Sequence, residues 1–589
     1  MPRVARFAFP LFAALMLALP LLPVPEFWIA QSCYIGMYAL VSLGLVLLTG
    51  VSGLTSFGQA AFVGIGAYTA AFMTVKLAAS PWLALVLGIG IAIAAALIVG
   101  AITLRMSGHY LPLATICWGL ALNYTMANMD WLGKYDGLIG VPTLHIGSID
   151  LGTGRGLHAV IWLFALLAAL AVTHLLDSRA GRAIRSLKAG STMAEAMGVS
   201  TFRYKLVAFV IAAVLAAISG WLFAFFQRTV NPTPFSLGKG IEYLFMTVLG
   251  GVSHVWGAFL GAAVVKLTGD QLQVLLPKII GTSGNFETIV FGIVLVAVLK
   301  YAPDGLWTFF SRWVPQVQRP RNWADAAPLP QRDKPAHGEP LLEVGKVRKQ
   351  FGGLVAVNDV SFDIRAGDIV ALIGPNGAGK STTFNLITGV LSLTSGNVTF
   401  RGGSIAGFPS RKIAALGISR TFQHVKMNPD MTVLENVALG GHLRGEMGTT
   451  RAMLRLDRAE EKRLFAEAEK QLARIGMDGS MHEMAGNLAM GPQRLLEIAR
   501  ALCSDPALLL LDEPAAGLRH KEKQALAQVL RQLKSEGMSL LLVEHDMDFV
   551  MGLADRIVVM EFGTKLMEGT PEQVQASPEV RAAYLGTEH

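Results

Sequence analysis

The chain has 589 residues, of which only 16% are charged, whereas an average soluble domain has about 25%. The deficit lies in the first 315 residues, which carry 18 basic and 10 acidic residues, while the remaining 274 carry 32 of each. The first part has the composition of a membrane protein and the second that of a soluble domain, which argues against a simple soluble enzyme. The whole formal net charge of +8 belongs to the first part, where cations flanking apolar segments set membrane orientation. The basic balance therefore does not indicate nucleic-acid binding.

Cysteine usage is sparse, with Cys33, Cys117 and Cys503 as the only three. They form neither a Cys-x-x-Cys pair nor an even-numbered set, so that neither a disulfide framework nor a zinc site is supported. At about 150 residues per domain, the length allows three or four domains.

Long apolar segments dominate the first part. An apolar run such as 82–104 reaches the roughly 20 residues needed to cross the hydrocarbon core of a bilayer. Residues 241–268 are ambiguous, because glycines between 250 and 261 interrupt them as in a re-entrant hairpin or two short spans. We expect a polytopic, all-α transmembrane domain of eight to ten helices, with clear spans near residues 8–24, 28–49, 58–76, 82–104, 110–129, 158–176, 206–227 and 286–302.

One short loop concentrates positive charge, with the basic residues Arg179, Arg182, Arg185, Lys188, Arg203 and Lys205. By the positive-inside rule, this loop and the N-terminus face the cytoplasm, and six spans between them fit that parity. The first segment has a second interpretation as a cleavable signal peptide, because Arg3 and Arg6 precede an apolar run that ends near Pro20. Against this, no small-x-small cleavage site is evident and another span follows at once.

The two parts are joined by a proline-rich segment, with six prolines among residues 315–340, which predicts an extended linker. We therefore expect a transmembrane domain over 1–314 with a cytoplasmic loop at 177–205, a linker over 315–340, and a second domain over 341–589. In the second domain, 344–351, 356–364 and 369–373 are predicted strands, and 451–474 has the charge pattern of a solvated amphipathic helix.

A glycine-rich loop directly follows the strand 369–373 and precedes a helix expected from Thr383. This strand–loop–helix order is the context of a phosphate-binding P-loop, and a chance glycine turn would not reproduce the spacing. Glycines let backbone N–H groups converge on phosphates, Lys380 adds a positive charge at the β and γ positions, and the Ser381 hydroxyl is suited to Mg²⁺. The candidate ATP-binding loop is Gly374, Pro375, Asn376, Gly377, Ala378, Gly379, Lys380, Ser381 and Thr382.

Two further apolar strands end in polar residues. Residues 508–511 lead to Asp512 and Glu513, and residues 539–543 lead to Glu544 and His545. A parallel sheet presents its carboxyl edge to a nucleotide, so Asp512 is the candidate Mg²⁺ ligand and Glu513 the candidate general base for water. Acids that merely cap a helix, and a surface histidine, are the alternatives. Because His545 follows a strand, we favour its interpretation as a contact to the γ-phosphate.

These motifs together resemble the ATP-binding cassette family over residues 341–589. The resemblance implies that Phe351 stacks on adenine, although a core aromatic is the alternative, and that Gln423 is the Q-loop glutamine, which serves catalysis and contacts Mg²⁺. It also implies a D-loop at 515–518. The signature segment, which acts on the partner's nucleotide, corresponds to Leu488, Ala489, Met490, Gly491, Pro492 and Gln493, where Ala489 replaces a usual serine and Pro492 a usual glutamine.

A closer resemblance covers nearly the whole chain except the linker. The runs 351–357, 512–517, 544–547 and 583–586 look like the ATPase subunits of bacterial branched-chain amino acid importers. The runs 181–185, 196–199, 205–210 and 249–261 resemble the permease subunits of the same importers. This implies a permease fused to its ATPase.

Two features of the permease part bear on its role. In such permeases a short cytoplasmic coupling helix docks on the ATPase at the position of Glu195 and Ala196, although a solvated loop is the alternative. Gly58, Gly64 and Gly66 also resemble the family, and packing through small residues explains them as well as a substrate role does. Because intramembrane charge is sparse and polar groups are scattered, no substrate residue is predicted.

The sequence thus predicts an ATP- and Mg²⁺-dependent importer of branched-chain or similar apolar amino acids in the bacterial inner membrane, with a cytoplasmic ATPase domain. The expected partners are a second permease, a second ATPase and a periplasmic substrate-binding protein. A homodimeric exporter is the first alternative, because the order of membrane part and ATPase is that of exporter half-molecules. Exporter helices extend far into the cytoplasm, however, whereas most loops here are short. An ATP-binding membrane regulator is the second alternative.

Overall fold

The computed structural model describes residues 2–106, 110–147, 149–280, 287–302, 304–311, 323 and 325–585. The chain divides into two compact units. The first unit consists of Met1–Asp177, Phe202–Arg321 and Met453–Arg455, and the second of Ser178–Thr201, Asn322–Ala452 and Leu456–His589. Most of the basic loop, residues 178–201, therefore belongs to the same unit as the C-terminal part of the chain, whereas Arg203 and Lys205 belong to the first unit.

The N-terminal half is helical, as predicted. Helix α2 continues as a π-helical segment over Val46–Val51, and α3 does so over Phe72–Lys76. The helices up to residue 311 are α1 (Pro2–Ala18), α2 (Glu26–Leu45), α3 (Gln59–Ala71), α4 (Pro81–Thr103), α5 (Tyr110–Asn128), α6 (Gly154–Leu176), α7 (Arg179–Ala189), α8 (Ser191–Ala196), α9 (Thr201–Gln227), α10 (Leu237–Gly250), α11 (Val255–Ile280), α12 (Glu287–Tyr301) and α13 (Trp307–Ser311).

Membrane-crossing potential is concentrated in a subset of these helices. Among the residues described, five helical segments are long and apolar enough to cross a membrane, and shorter apolar helices occupy Phe9–Leu21 and Ile289–Tyr301. The five long segments are Glu26–Val51, Pro81–Thr103, Gly154–Leu176, Thr201–Gln227 and Val255–Ile279.

The ambiguous region 241–268 forms two helices, α10 and α11, joined by a tight turn at residues 251–254. The two helices approach closely at Gly250. A Cβ added there would lie 1.9 Å from the carbonyl oxygen of Gly257, so only a glycine fits. The glycines that obscured the prediction are thus a helix-packing contact. The structure also contains short strands that the sequence did not predict, β1 (Leu138–Ile139), β2 (His145–Ile146), β3 (Ile149–Asp150) and β4 (Thr229–Val230), with β1 antiparallel to β4 and β2 to β3.

The second unit is built on two sheets, a six-stranded sheet in the order β10-β11-β12-β7-β13-β14 and a four-stranded antiparallel sheet in the order β6-β5-β8-β9. The six-stranded sheet is parallel except for the β13–β14 pair. Its strands and those of the smaller sheet are β5 (Pro340–Phe351), β6 (Leu354–Arg365), β7 (Ile369–Ile373), β8 (Ser395–Phe400), β9 (Gly403–Ser404), β10 (Ile418–Arg420), β11 (Leu508–Asp512), β12 (Ser539–Val543), β13 (Arg556–Glu561) and β14 (Thr564–Gly569).

Helices cover the six-stranded sheet. The remaining helices are α14 (Lys380–Ile387), α15 (Ser410–Leu416), α16 (Val433–Gly440), α17 (Thr449–Met453), α18 (Arg458–Arg474), α19 (Met490–Leu502), α20 (His520–Ser535), α21 (Met547–Met551), α22 (Pro571–Ala576) and α23 (Pro578–Leu585). Helix α14 begins at Lys380, three residues before the predicted start, and the amphipathic segment 451–474 contributes mainly α18.

Strand β7 contributes side chains to an apolar core on each face of the sheet. All five of its residues are buried, with Ile369, Ala371 and Ile373 in one apolar cluster. Val370 and Leu372 belong to another, because successive side chains of a strand point to opposite faces. A strand buried on both sides is uniformly apolar, which agrees with the apolar run 369–373 that the sequence predicts as a strand.

The described part of the proline-rich segment contacts the second unit. Leu329 is buried, the backbone N–H of Arg332 donates to the Asp505 carboxylate at 2.5 Å, and its guanidinium donates to the Ala415 carbonyl at 2.8 Å. This segment forms no helix or strand over 325–339 but packs along the unit. Residues 315–322 and 324 of the predicted linker lie outside the described residues.

Gly66 of α3 offers a test of close packing in the first unit, because a Cβ added there would lie 2.0 Å from the Ala217 carbonyl oxygen of α9. We expect Gly66→Ala to lower the thermal midpoint of the purified chain in detergent, since overpacking costs about 1–3 kcal/mol and exceeds the helix-propensity gain. Gly90→Ala on α4 is the matched control, because nothing lies within 4 Å of its added Cβ. Equal midpoints for the two variants would contradict the close approach.

Candidate functional site

Three neighbouring parallel strands end at one edge of the six-stranded sheet. Strand β12 lies between β11 and β7, in the register that pairs Asp512 with Val543 and Val543 with Leu372. The glycine-rich loop follows β7, Glu513 follows β11, and His545 follows β12 by two residues. The sheet order therefore brings together three segments that are up to 171 residues apart in the sequence.

The loop after β7 wraps around the Lys380 side chain. The Lys380 ammonium donates to the carbonyl oxygens of Gly374 at 2.7 Å and Pro375 at 3.0 Å. Gly377 and Gly379 have φ values of +86° and +93°, a left-handed conformation that favours glycine, and α14 starts directly after Gly379. Burial lowers the pKa of Lys380, and the negative charges of Glu513 and Asp512 oppose that shift. A buried cation at a helix N-terminus is suited to a phosphate group.

The two acids that follow β11 have different surroundings. Asp512 is 4% exposed, and burial raises its pKa to about 6 while Arg420, 3.9 Å away, opposes the shift. One of its carboxylate oxygens, Oδ1, is buried without a hydrogen-bond partner. Glu513 leaves the strand with a left-handed φ of +46°, and its backbone N–H donates to the Val543 carbonyl at 2.8 Å.

His545 lies beside Glu513. Its Nδ1 is 4.0 Å from a Glu513 carboxylate oxygen and 3.8 Å from one of Glu544, and about half of its side chain is exposed. The Glu544 carboxylate is fully buried and accepts from the backbone N–H groups of Ala515 at 2.7 Å and His545 at 3.1 Å. Burial raises the pKa of Glu544. Glu544, for which the sequence pattern predicted no role, thus connects the predicted D-loop to His545.

These segments surround an open cavity of about 550 Å³. Of the predicted site residues, Asn376 to Thr382, Gln423 and Glu513 line it, whereas Gly374, Pro375, Asp512 and His545 are near but not in its wall. The full lining is Leu354, Val355, Ala356, Asn376, Gly377, Ala378, Gly379, Lys380, Ser381, Thr382, Gln423, Glu513, Phe562 and Gly563. A cavity of this size, with a lysine and a helix N-terminus at its base, fits a nucleotide.

Phe351 does not line this cavity. It ends β5, is 45% exposed, and has the Lys349 ammonium over its ring at 5.0 Å from the centroid. The aromatic residue in the wall is Phe562, which is 87% exposed at the β13–β14 turn and which the sequence analysis missed. The sequence gives one clue, because an exposed phenylalanine at a hairpin turn lacks a packing role.

The Gln423 loop is held by helix α19. The Arg494 guanidinium donates to the carbonyls of Phe422 at 2.7 Å and Gln423 at 2.5 Å. Glu497, one turn further along, accepts from the backbone N–H of Lys426 at 2.9 Å. Burial raises the pKa of Glu497 to about 7, and Arg500 is the first of several arginines that oppose this. Three hydrogen bonds therefore tie this loop to α19.

The signature segment lies away from the chain's own cavity, since none of residues 488–493 is in its wall. Ala489 is the N-cap of α19 and makes no side-chain capping hydrogen bond. Ala489 and Met490 are exposed, while the Gln493 amide donates to the Leu488 carbonyl at 2.8 Å. Pro492 is the third residue of the helix, where a missing N–H leaves no intrahelical bond unmade.

Helix α7 presents basic side chains at every third position to acids of the second unit. Arg182 and Glu461 form the most buried pair, with side chains 2% and 4% exposed and 2.7 Å apart. The Arg182 guanidinium also lies over the Phe465 ring at 4.7 Å. The other pairs of this row are Arg179 with Glu460 at 3.2 Å, Arg185 with Glu435 at 3.3 Å and Lys188 with Asp430 at 3.0 Å.

The row adds observed contacts to the basic loop, for which the sequence predicts membrane orientation and the family resemblance implies coupling to the ATPase. The spacing of three, 179, 182, 185 and 188, puts about one charge on each helical turn, with successive charges about 60° apart around the axis, and was the available sequence evidence. The predicted coupling helix corresponds to α8, which packs against α15, but the charged contacts belong to α7.

Family models match both parts of the chain. The model described as branched-chain amino acid transport system, permease component, matches residues 29–299, and that of the ABC transporters matches residues 357–516. A third model, branched-chain amino acid ATP-binding cassette transporter, matches residues 564–589.

Curated relatives resemble the C-terminal part. The high-affinity branched-chain amino acid transport ATP-binding proteins LivG of Salmonella typhimurium and of Escherichia coli K12 are 44% and 43% identical over 251 residues, 42% of this chain and 98% of each relative. BraF of Pseudomonas aeruginosa, which carries the same description, is 41% identical over 250 residues. A crystal structure of a nucleotide-free ATP-binding cassette from an ABC transporter is 30% identical, covering 42% of this chain and 99% of that chain with a TM-score of 0.37.

The permease match and the ATPase match lie on one polypeptide, in that order. Because the relatives are matched over nearly their whole length at more than 40% identity, the likeness extends beyond the phosphate-binding motif. The chain belongs to the ATP-binding cassette transporters of the branched-chain amino acid uptake family, as a permease fused to its ATPase.

Proposed function

We propose that this chain imports branched-chain or similar apolar amino acids across a bacterial inner membrane, with residues 1–314 as the permease, 315–340 as a linker and 341–589 as the cytoplasmic ATPase. The names of the curated relatives support this substrate class. Membership in an uptake family removes the interpretation as a homodimeric exporter. The observation that carries the proposal is the row of ion pairs between α7 and acids around α16 and α18, because an importer needs a mechanical link between ATPase and permease.

In the proposed hydrolytic cycle, the residues of the cavity have separate tasks. Backbone N–H groups of the loop 374–379 and the Lys380 ammonium bind the phosphates, and the adenine lies toward Phe351 or Phe562. Glu513 accepts a proton from the attacking water, and His545 contacts the γ-phosphate. Glu544 holds the D-loop and His545 in place through its two backbone hydrogen bonds.

The residues present also fit a magnesium ion. The Oδ1 atom of Asp512 is a buried acceptor without a partner, and Ser381 and Gln423 line the same cavity. The described residues contain no group of three or more His, Cys, Asp or Glu that could hold a metal alone. This suits Mg²⁺, which is usually bound by one or two carboxylates together with substrate phosphates. When bound, the ion would neutralise charge on the phosphates, with Ser381, Gln423 and Asp512 as its protein ligands.

The segment from Gln423 to Asp430 links the cavity to α7. Gln423 lines the cavity, the Asn428 amide donates to the Arg185 carbonyl at 2.9 Å, and Asp430 pairs with Lys188. A displacement of the Gln423 loop is therefore transmitted to α7 over seven residues. In the proposed cycle, closure of two ATPase domains on ATP moves α7 and switches the side to which the permease opens, and hydrolysis resets it.

The assembly would contain a second permease, a second ATPase and a periplasmic substrate-binding protein. The exposure of Ala489 and Met490, away from the chain's own cavity, supports a role of this segment toward a partner ATPase. A serine at 489 would donate to the γ-phosphate, and a hydrogen bond to a charged group contributes about 1.5–3 kcal/mol. The site completed by this chain's signature is then the weaker of two, while the P-loop site of this chain stays competent.

ATP-driven uptake tests the function directly. We expect proteoliposomes that contain the assembled transporter, its substrate-binding protein and internal ATP to accumulate radiolabelled L-leucine. Glu513→Gln should keep ATP binding but lower hydrolysis and uptake about 10²-fold or more, the scale of general-base catalysis. Glu343→Gln, at an exposed position of β5, is the control and should behave as wild type. Near-normal hydrolysis in Glu513→Gln would contradict the role of the glutamate.

The buried pair of α7 gives a second prediction. Arg182→Met should destabilise the protein by about 3–5 kcal/mol, because it leaves the buried Glu461 carboxylate without the Arg182 charge, and it should lower the ratio of leucine uptake to ATP hydrolysis. Adding Glu461→Gln should restore much of the stability but not the ratio. Lys188→Met removes a pair whose side chains are 46% and 58% exposed, worth at most about 1 kcal/mol, and should change stability little. An unchanged uptake ratio in the double variant would exclude α7 as the link.

The asymmetry of the two sites is tested through the signature. Replacing the signature serine of the partner ATPase should abolish most turnover, whereas Ala489→Ser in this chain should leave turnover similar or raise it. Serine would also provide the absent N-cap of α19, worth about 0.5–2 kcal/mol, so thermal stability should rise. The purified chain alone, hydrolysing ATP at the full substrate-stimulated rate as a homodimer, would show that Ala489 is simply tolerated.

A further inference from the structure

Ionisable side chains that the sequence scatters over two helices converge in the first unit. Lys239 and Glu242 lie on α10, and Lys266 and Asp270 on α11. Both pairs face tyrosines of α2, a helix that is buried over most of its length. These six residues, Tyr34, Tyr38, Lys239, Glu242, Lys266 and Asp270, are named the zwitterion cluster below.

Each lysine of the cluster has an acid on one side and an aromatic ring on the other. The Lys239 ammonium is 2.8 Å from a Glu242 oxygen and 4.4 Å from the ring centroid of Tyr38. The Lys266 ammonium is 2.7 Å from an Asp270 oxygen and 4.7 Å from the ring centroid of Tyr34. The two rings lie 5.9 Å apart and join the halves into one surface.

A neighbouring glutamine carries an unused acceptor. Gln31 is 7% exposed and its amide N–H donates to Asp270, while its Oε1 is buried without a hydrogen-bond partner. A buried amide oxygen without a partner costs about 1–3 kcal/mol and is suited to an incoming donor. The cluster itself is not sealed, because the side chains of Lys239 and Lys266 remain 20% and 18% exposed.

Pairing of opposite charges within each helix does not by itself account for this arrangement. Charged residues within membrane segments are costly, and pairs at i,i+3 and i,i+4 would satisfy one another on their own helices. That interpretation explains neither the aromatic ring on each lysine nor the unpaired oxygen of Gln31. With two cations and two anions the cluster has no net formal charge, which matches a ligand that carries one charge of each sign.

The cluster contacts the C-terminal end of α9, a helix whose N-terminal end follows α7 and α8 in the chain. Gln227, the last residue of α9, donates to the Tyr34 hydroxyl. Helix α9 has 27 residues and is about 40 Å long, enough to cross a bilayer. If the α7 loop is cytoplasmic, the cluster lies on the periplasmic side, where substrate arrives.

We infer that the zwitterion cluster binds the main-chain ammonium and carboxylate of a free α-amino acid. Lys239 and Lys266 donate to the carboxylate, while Asp270, the Tyr34 ring and the Gln31 oxygen receive the ammonium. The inference rests on the proposed import of amino acids and adds the place where the permease holds its substrate.

Photo-crosslinking tests the inference without the substrate-binding protein. The transporter, assembled with its partner subunits in nanodiscs, is irradiated with millimolar photo-leucine, and adducts are located by peptide mass spectrometry. We expect adducts on α2, α10 or α11 that excess L-leucine suppresses. Isoamylamine, which lacks the carboxylate, and 4-methylpentanoate, which lacks the ammonium, should suppress them about tenfold less well, the effect of losing one charge-assisted hydrogen bond.

Variants separate a binding role from a structural one. Lys266→Met and Asp270→Asn should each cut the adduct yield about tenfold. Lys266→Met should also erase the preference for leucine over isoamylamine as competitor, which a merely destabilised protein would keep. Lys300→Met is the matched control, because Lys300 also lies over a tyrosine ring, that of Tyr301 at 5.1 Å, but outside the cluster; its yield should equal that of wild type.

The outcomes distinguish the two proposals. Adducts confined to other helices, or a competitor preference unchanged in both cluster variants, would overturn the inference even if the wild-type transporter accumulates leucine. Absence of ATP-driven leucine uptake in the wild-type transporter would instead overturn the proposed function.

Discussion

The side-by-side order of β11, β12 and β7 in a parallel sheet is the constraint on which the nucleotide site depends. Parallel strands end at the same edge, so the segments that follow them meet there whatever their separation in the chain. Uniform burial of the strands holds this edge rigid, since both faces carry an apolar core. The loop with Lys380, the acids after β11 and the histidine after β12 need no further device to be brought together.

The strands of the sheet position the loop of Lys380, the acids and the histidine, whereas the loop of Gln423 is positioned by a helix. That loop is held by Arg494 and Glu497 of α19, the helix that begins with the signature segment. Its continuation reaches α7 through Asn428 and Asp430. One short segment therefore contacts the nucleotide cavity, the helix expected to meet a partner ATPase, and the loop that joins two membrane helices, which is the connectivity that energy coupling requires.

Charge has different functions in the two compact units. On α7 it is used at an interface where acids face it one by one, and the buried member, Arg182 with Glu461, also stacks on an aromatic ring. Between α2, α10 and α11 the charges are few and balanced, and each lysine is covered by a tyrosine. In both places an aromatic ring shields a cation that water cannot fully solvate, which lowers the cost of keeping it there.

Features that depend on local pattern were predictable from the amino-acid order. The length of the apolar segments predicted membrane helices, and the glycine spacing after an apolar strand predicted the phosphate-binding loop. The positions of Asp512, Glu513 and His545 after apolar strands predicted that these side chains lie at a common edge of the sheet. It also predicted which segments resemble a permease and which an ATPase. The helical first part and the common sheet edge are confirmed, because their physical causes, hydrocarbon thickness and strand direction, act within a few consecutive residues. The roles of the site residues stay predictions.

Contacts between side chains far apart in the sequence became known only from the folded chain. The resemblance implied that Phe351 stacks on adenine. The aromatic residue in the cavity wall is instead Phe562, from a hairpin more than 200 residues later. The basic residues of α7 indicated membrane orientation, and the resemblance implied a coupling loop, but only the folded chain shows Glu435, Glu460 and Glu461 opposite them. The polar residues of α2, α10 and α11 looked scattered because the pairing of those helices is set by packing of glycines and apolar faces. Such contacts are absent from any single helix and arise only when the chain is folded.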